Sequence, residues 1–119
     1  MTGFENLEVW KKSIILVKEV YLLVKLFPKE ENYALSDQVR RCAVSVPSNI
    51  AEGSGRNSSK EFVQFLYIAL GSINELETQL IIAKEIGYLS NIVEIRTKIL
   101  EIKKMLNSLI TSIKRQNGN

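Results

Sequence analysis

The chain has 119 residues, 45% of them hydrophobic and 24% charged, with a net charge of +3, values that fit one domain, residues 1–119, around one core. Histidine is absent and cysteine occurs once, which excludes zinc-ligand spacing, an internal disulfide and any catalytic Ser-His or Cys-His pair. The mildly basic balance permits an acidic partner without requiring one.

The opening MTGFENLEVWKK has no basic region leading into a long apolar run, so no signal peptide is expected. A first helix is expected over about 6–27. Its most apolar stretch, SIILVKEVYLLVKLF, is cut by Lys18, Glu19 and Lys25, short of the ~20 clean residues of a membrane span. A cytoplasmic, reducing setting with no membrane association is the expectation. Leu7, Trp10, Ile14, Val17, Tyr21 and Val24 recur at steps of three and four and read as the core seam. Val9, Leu16, Val20, Leu23 and Phe27 form a second stripe beside it. That stripe is either the edge of a broad core face or a subunit interface. The interface is the preferred reading, because monomers seldom expose so large an apolar patch.

Pro28 closes this helix, and the second is expected over about 36–53 with Ser36 as its cap. Pro47 lacks the N–H that would bond the carbonyl of Ala43, so a kink or local break is expected there. Val39, Cys42, Val46 and Ile50 hold the apolar side, with Cys42 as a small buried thiol. Gln38, Arg41, Ser45, Asn49 and Glu52 form a polar line. The third helix offers a matching set, Gly71, Ser72 and Glu75, and the two sets together read as a hydrogen-bonded seam between the helices. A glycine inside a helix costs about 1 kcal/mol against alanine, so Gly71 is expected to mark a close backbone approach.

The turn EGSGRNSSK separates helices two and three. It is not a P-loop, since no strand precedes it and no Gly-Lys-Ser/Thr closes it. Ser58-Ser59-Lys60-Glu61 fits a capping box. The start of helix three, with Arg56 and Lys60 beside it, is a weaker candidate for holding a phosphate. Helix three is expected over about 59–86, with Phe62, Leu66, Ala69, Ile73, Leu76, Leu80 and Ala83 inward, and Gly87 ends it. Helix four is expected over about 91–115, capped by Ser90, with Ile92, Ile95, Ile99, Ile102, Leu106, Leu109 and Ile113 inward and a flexible tail at 116–119. Such 3-4 repeats joined by short loops predict an all-α, antiparallel up-down-up-down four-helix bundle.

Three blocks, FENLEVWKKS, LSDQVRRCAVSVPSNIAEGSGR and FLYIALGSINELETQL, are similar to the signature of the 23S rRNA intervening-sequence protein family of bacterial four-helix bundle proteins. Arg41, Ser45, Pro47, Asn49, Ile50, Ala51, Glu52, Gly53 and Arg56 carry the middle block, followed by Gly71, Ser72 and Glu75, while Cys42 stands where alanine is expected. The resemblance implies a bundle that assembles into homo-oligomeric rings, as pentamers. It also implies a nucleic-acid-linked role, since relatives serve as accessory proteins of diversity-generating retroelements, and it carries no enzymatic activity, cofactor or metal. Self, RNA or DNA, and a reverse transcriptase or another protein are the partners it suggests.

Residues 91–119 hold six basic and two acidic residues, a sum of +4. Arg96, Lys103 and Lys114 share one helical line with Lys104 and Arg115 nearby, and Lys11, Lys18 and Lys25 share another on helix one. Arg40, Arg56, Lys60, Arg96, Lys103, Lys104 and Lys114 are the candidate phosphate contacts. Arg40 and Arg41 point about 100° apart, so at most one joins the polar seam. No aromatic residues interleave the basic ones along these helical lines, so base stacking and sequence reading are not expected. Three readings follow: a nucleic-acid-binding accessory protein, a protein-interaction scaffold, and, least favoured, an enzyme using Glu52 and Glu75 as paired carboxylates.

Overall fold

The computed structural model describes residues 3–117. Four helices, α1 (Glu8–Val24), α2 (Leu35–Ser54), α3 (Ser59–Glu85) and α4 (Val93–Gln116), make up the fold, with turns of 3-10 helix at Phe4–Asn6 and Lys29–Glu31. Contacts between helices run in opposite residue order. Gly53 meets Phe62 and Phe65 while Cys42 meets Ser72. Lys114 meets Tyr67 while Lys103 meets Glu77, and Lys98 meets Glu19 while Glu101 meets Lys12. Each of these pairs is therefore antiparallel, and α1 and α2 must be as well, giving a rod of 48 × 23 × 22 Å.

Local chemistry explains most boundaries. Ser58 Oγ accepts from the Glu61 amide at 3.2 Å, the serine half of the expected capping box of α3, while the Glu61 carboxylate accepts from the Ser58 hydroxyl at 3.2 Å in place of its backbone N–H. Gly87 ends α3 at φ +94°, and the Tyr88 amide bonds the Ala83 carbonyl at 2.8 Å, a Schellman closure that needs a left-handed residue. Neither serine expected to cap the other helices does so. Ser36 lies inside the first turn of α2 with its hydroxyl buried and unpartnered, and Glu31 Oε1 accepts from the Leu35 amide at 3.2 Å instead. Asn91 Oδ1 takes the place of Ser90, accepting from the Val93 amide at 2.9 Å. Within the tail expected at 116–119, Gln116 is the last helical residue and Asn117 bonds back to the Ile113 carbonyl at 2.8 Å. Gly118 and Asn119 lie outside the described residues.

The core consists of aliphatic side chains from all four helices, among them Leu16, Val20, Ile50, Leu66, Ile73, Leu80, Ile99 and Leu106. It corrects the expected rotation of α1. Val9, Leu16, Val20 and Phe27, expected at a subunit interface, are buried within the single bundle, and Leu23 is half-buried against them. In the stripe expected inside, Leu7, Trp10, Ile14 and Val17 are half-buried, Tyr21 is 42% exposed and only Val24 is buried. Two neighbouring apolar stripes leave the helix free to bury either, and the bundle buries the one that also brings Ser13 inward, its hydroxyl donating to the Trp10 carbonyl at 2.7 Å.

Helix α2 runs through buried Pro47 without interruption. The close approach of α2 and α3 falls at Gly53, where an added Cβ would lie 2.6 Å from Phe65 Cβ. Gly71 faces open space, so the packing role expected of it belongs to Gly53. No helix among the described residues is long and apolar enough to cross a membrane.

Candidate nucleic-acid interface

The polar line of α2 is a surface feature. Arg41 and Glu52 are exposed, Ser45 and Asn49 half-buried, and each satisfies itself locally. Arg41 pairs with Asp37 at 2.9 Å, Ser45 donates to the Cys42 carbonyl at 2.6 Å, Asn49 donates to the Ser45 carbonyl at 2.8 Å, and Glu52 pairs with Arg56 at 2.8 Å. Side chains of this kind bond their own helix readily, so the line needs no partner on α3. On α3, Ser72 is half-buried and Glu75 exposed. The expected buried seam reduces to the Cys42 thiol, which donates to the Ser72 carbonyl at 3.0 Å and has the Glu75 carboxylate within hydrogen-bonding reach. Burial, then the neighbouring Glu75 charge and its hydrogen bond, push the Cys42 pKa up to about 12, so the thiol stays protonated. Glu75 sits beside Cys42, whereas Glu52 is ten residues further along α2, about 15 Å at the helical rise. The two carboxylates do not form a dyad. Among the described residues no three metal-ligating side chains cluster.

The seven basic candidates divide by their surroundings. Arg96 and Lys103 turn toward α3 and share Glu77, at 3.0 and 2.5 Å. Burial works to raise the Glu77 pKa, but hydrogen bonds and charge from Lys103 and Arg96 together hold it below its ordinary value. One carboxylate thus serves two cations, half-buried Lys103 and exposed Arg96, and leaves one positive charge of the three groups unbalanced. Arg40 donates to the Asn32 carbonyl at 3.2 Å, and Arg56 lies over the Phe65 ring at 4.8 Å while paired with Glu52. Lys60, Lys104 and Arg115 form no ion pair among the described residues, and all three are exposed.

The antiparallel packing brings Lys60, at the start of α3, and Lys114, near the end of α4, to opposite walls of one groove. Ser58, Ser59, Gln64, Tyr67 and Asn117 also line it. Tyr67 is 48% exposed, and Lys114 Nζ lies 3.0 Å from its hydroxyl and 5.2 Å from the ring centroid. The ammonium therefore holds the ring by its hydroxyl edge and does not cap its face. An aromatic ring does stand among the basic residues, contrary to the sequence expectation. The signal was Lys60 and Tyr67 at i and i+7 on one face of α3, but Lys114 reaches them only through the tertiary fold. The α3 N-terminus itself is already complemented by the Glu61 carboxylate of the capping box, which removes the simplest helix-dipole phosphate site.

The family model of the 23S rRNA-intervening sequence protein matches residues 5–108. A solved structure, that of a protein of unknown function from the S23 ribosomal protein family of Bacteroides thetaiotaomicron, is 28% identical in sequence. It covers 86% of this chain and 97% of its own, with a TM-score of 0.79. No curated protein matches. A match spanning most of the chain, on a four-helix fold shared with that solved relative, leads to one conclusion: the chain belongs to the 23S rRNA-intervening sequence protein family.

Proposed function

We propose that this protein is a non-enzymatic accessory protein that binds RNA or DNA through its phosphate backbone in a cytoplasmic setting, acting as a homo-oligomer. One observation carries this reading. Lys60 and Lys114 line one groove where α3 begins and α4 ends, with Arg115 the next residue of α4, while Arg96 and Lys103 share the single Glu77 carboxylate. The end of the rod where α3 begins and α4 ends therefore carries cations that form no ion pair among the described residues. Cations without a carboxylate partner release counterions when they meet phosphate, the main source of affinity for nucleic-acid backbones. An oligomer would repeat the cluster and sum its contacts. The family's name, which links its members to sequences intervening in 23S rRNA, agrees with such a partner.

A scaffold role is the second reading, favoured by the opposite end of the rod. Leu22 is 62% exposed, Leu26 66%, Tyr33 99% and Val93 71%, more apolar surface than one end of a solitary small bundle usually presents. Titration of labelled RNA, single-stranded DNA and duplex DNA at low salt separates the two. Micromolar binding that weakens steeply with salt supports the first reading, and absence of binding to all three leaves the scaffold.

A further inference from the structure

We propose that the groove between α3 and α4 selects single-stranded over duplex nucleic acid, with one base stacking on Tyr67 and the flanking phosphates held by Lys60 and Lys114. This rests on the nucleic-acid reading above and adds the form of the ligand. Three features of the groove point to it.

The first is the ring. Tyr67 lies on the outer surface of α3, 48% exposed, and the bond from Lys114 to its hydroxyl fixes the ring at its edge while leaving the face available. Stacking needs such a platform, oriented but uncovered, and it accepts any base because every base has a π-face. The second is the spacing of charge. Lys60 precedes Tyr67 by two helical turns, a rise of about 10.5 Å, and Lys114 approaches from the other helix. Lys114 thus sits at the hydroxyl edge of the ring and Lys60 lies two turns toward the start of α3, so a strand that crosses the ring can meet a cation on either helix. The third is the polar lining, Ser58, Ser59, Gln64 and Asn117, which supplies neutral donors for phosphate or sugar oxygens. A duplex keeps its bases stacked on one another and offers none to a side chain at the surface, so Tyr67 adds nothing to duplex binding.

The test uses the intact protein with labelled oligouridine, oligothymidine and a mixed-sequence duplex of matched length, comparing wild type with Tyr67→Leu and Tyr67→Phe. Circular dichroism confirms that each variant folds, as an exposed site allows. The expected result is that Tyr67→Leu weakens single-stranded binding about tenfold, the scale of one base stack, and leaves duplex binding unchanged, whereas Tyr67→Phe, which keeps the ring but loses the Lys114 bond to its hydroxyl, weakens single-stranded binding less than Tyr67→Leu. Comparison of oligouridine with oligothymidine assigns the strand as RNA or DNA. Equal binding of single strand and duplex, unaffected by Tyr67→Leu, overturns the stacking site while the backbone-binding reading stands. No binding of any probe overturns both.

Discussion

The Tyr88 hydroxyl donates to Glu31 Oε2 at 2.6 Å, while the other oxygen of Glu31 accepts from the Leu35 amide and caps α2. One carboxylate thus ties the α3–α4 loop to the start of α2, across 57 residues of sequence. Phe27 packs on the same tyrosine, ring centroids 5.5 Å apart. The hydrogen bond to Glu31, then partial burial and the nearby acidic charges, raise the Tyr88 pKa above its ordinary 10.0. A raised pKa in the folded state stabilises the fold below the unfolded value, and that contribution is lost as pH rises through the folded value. Tyr88→Phe is therefore expected to melt below wild type at neutral pH, with the gap closing above about pH 10. Thermal melts of both proteins across that range check it.

Glu77 obeys the opposite sign. Its carboxylate is held below the ordinary 4.5, so its stabilising effect is present above that pH and is lost as pH falls through the depressed folded value. Glu77→Gln should cost about 1.5–3 kcal/mol at pH 7, the range for hydrogen bonds to charged groups. The difference from wild type should shrink below about pH 4.5 as the wild-type carboxyl also protonates. Urea unfolding at pH 7 and pH 3 measures both.

Two glycines in helices should respond in opposite directions. Gly53→Ala places a methyl 2.6 Å from Phe65 Cβ and 3.2 Å from the Phe62 carbonyl oxygen. Neither atom can move without separating α2 from α3, and about 1–3 kcal/mol of destabilisation is expected. Gly71→Ala meets nothing within 4 Å and should stabilise by about 1 kcal/mol through helix propensity. Chemical denaturation of the pair is a direct check on which glycine marks the helix contact.

What could be read from the sequence follows from the range of the forces involved. The Ser58 cap on the Glu61 amide and the Gly87 stop depend on neighbouring residues, and both stand as expected. The inward faces of α3 and α4 stand nearly as expected, except that Val63, Gln79 and Ile110 are buried while Phe62 and Leu109 are half-buried. The rotation of α1 could not be read, because two apolar stripes compete and only the packed bundle decides between them. The sharing of Glu77 by Arg96 and Lys103, and the meeting of Lys114 with Tyr67, join residues far apart in the chain. Periodicity within a single helix carries no trace of either.

The polar line of α2 yields a prediction that reverses the sequence expectation. Asn49 is half-buried and bonds only its own helix, at the Ser45 carbonyl. Asn49→Ala should change stability by less than about 0.5 kcal/mol, as a surface site does, since the better helix propensity of alanine offsets the lost bond. A melting temperature within error of wild type is the expected outcome.

The central claim is that Lys60, Lys114 and Arg115 form the phosphate-binding end of the rod. It is tested most directly by the salt dependence of affinity for a labelled single strand, measured for wild type and for the variant carrying Lys60→Gln, Lys114→Gln and Arg115→Gln. Each phosphate contact on a single strand contributes about 0.7 to the slope of log affinity against log salt, so loss of three contacts should make the slope shallower by about 2. An unchanged slope, with the triple variant binding as tightly as wild type, would contradict the account.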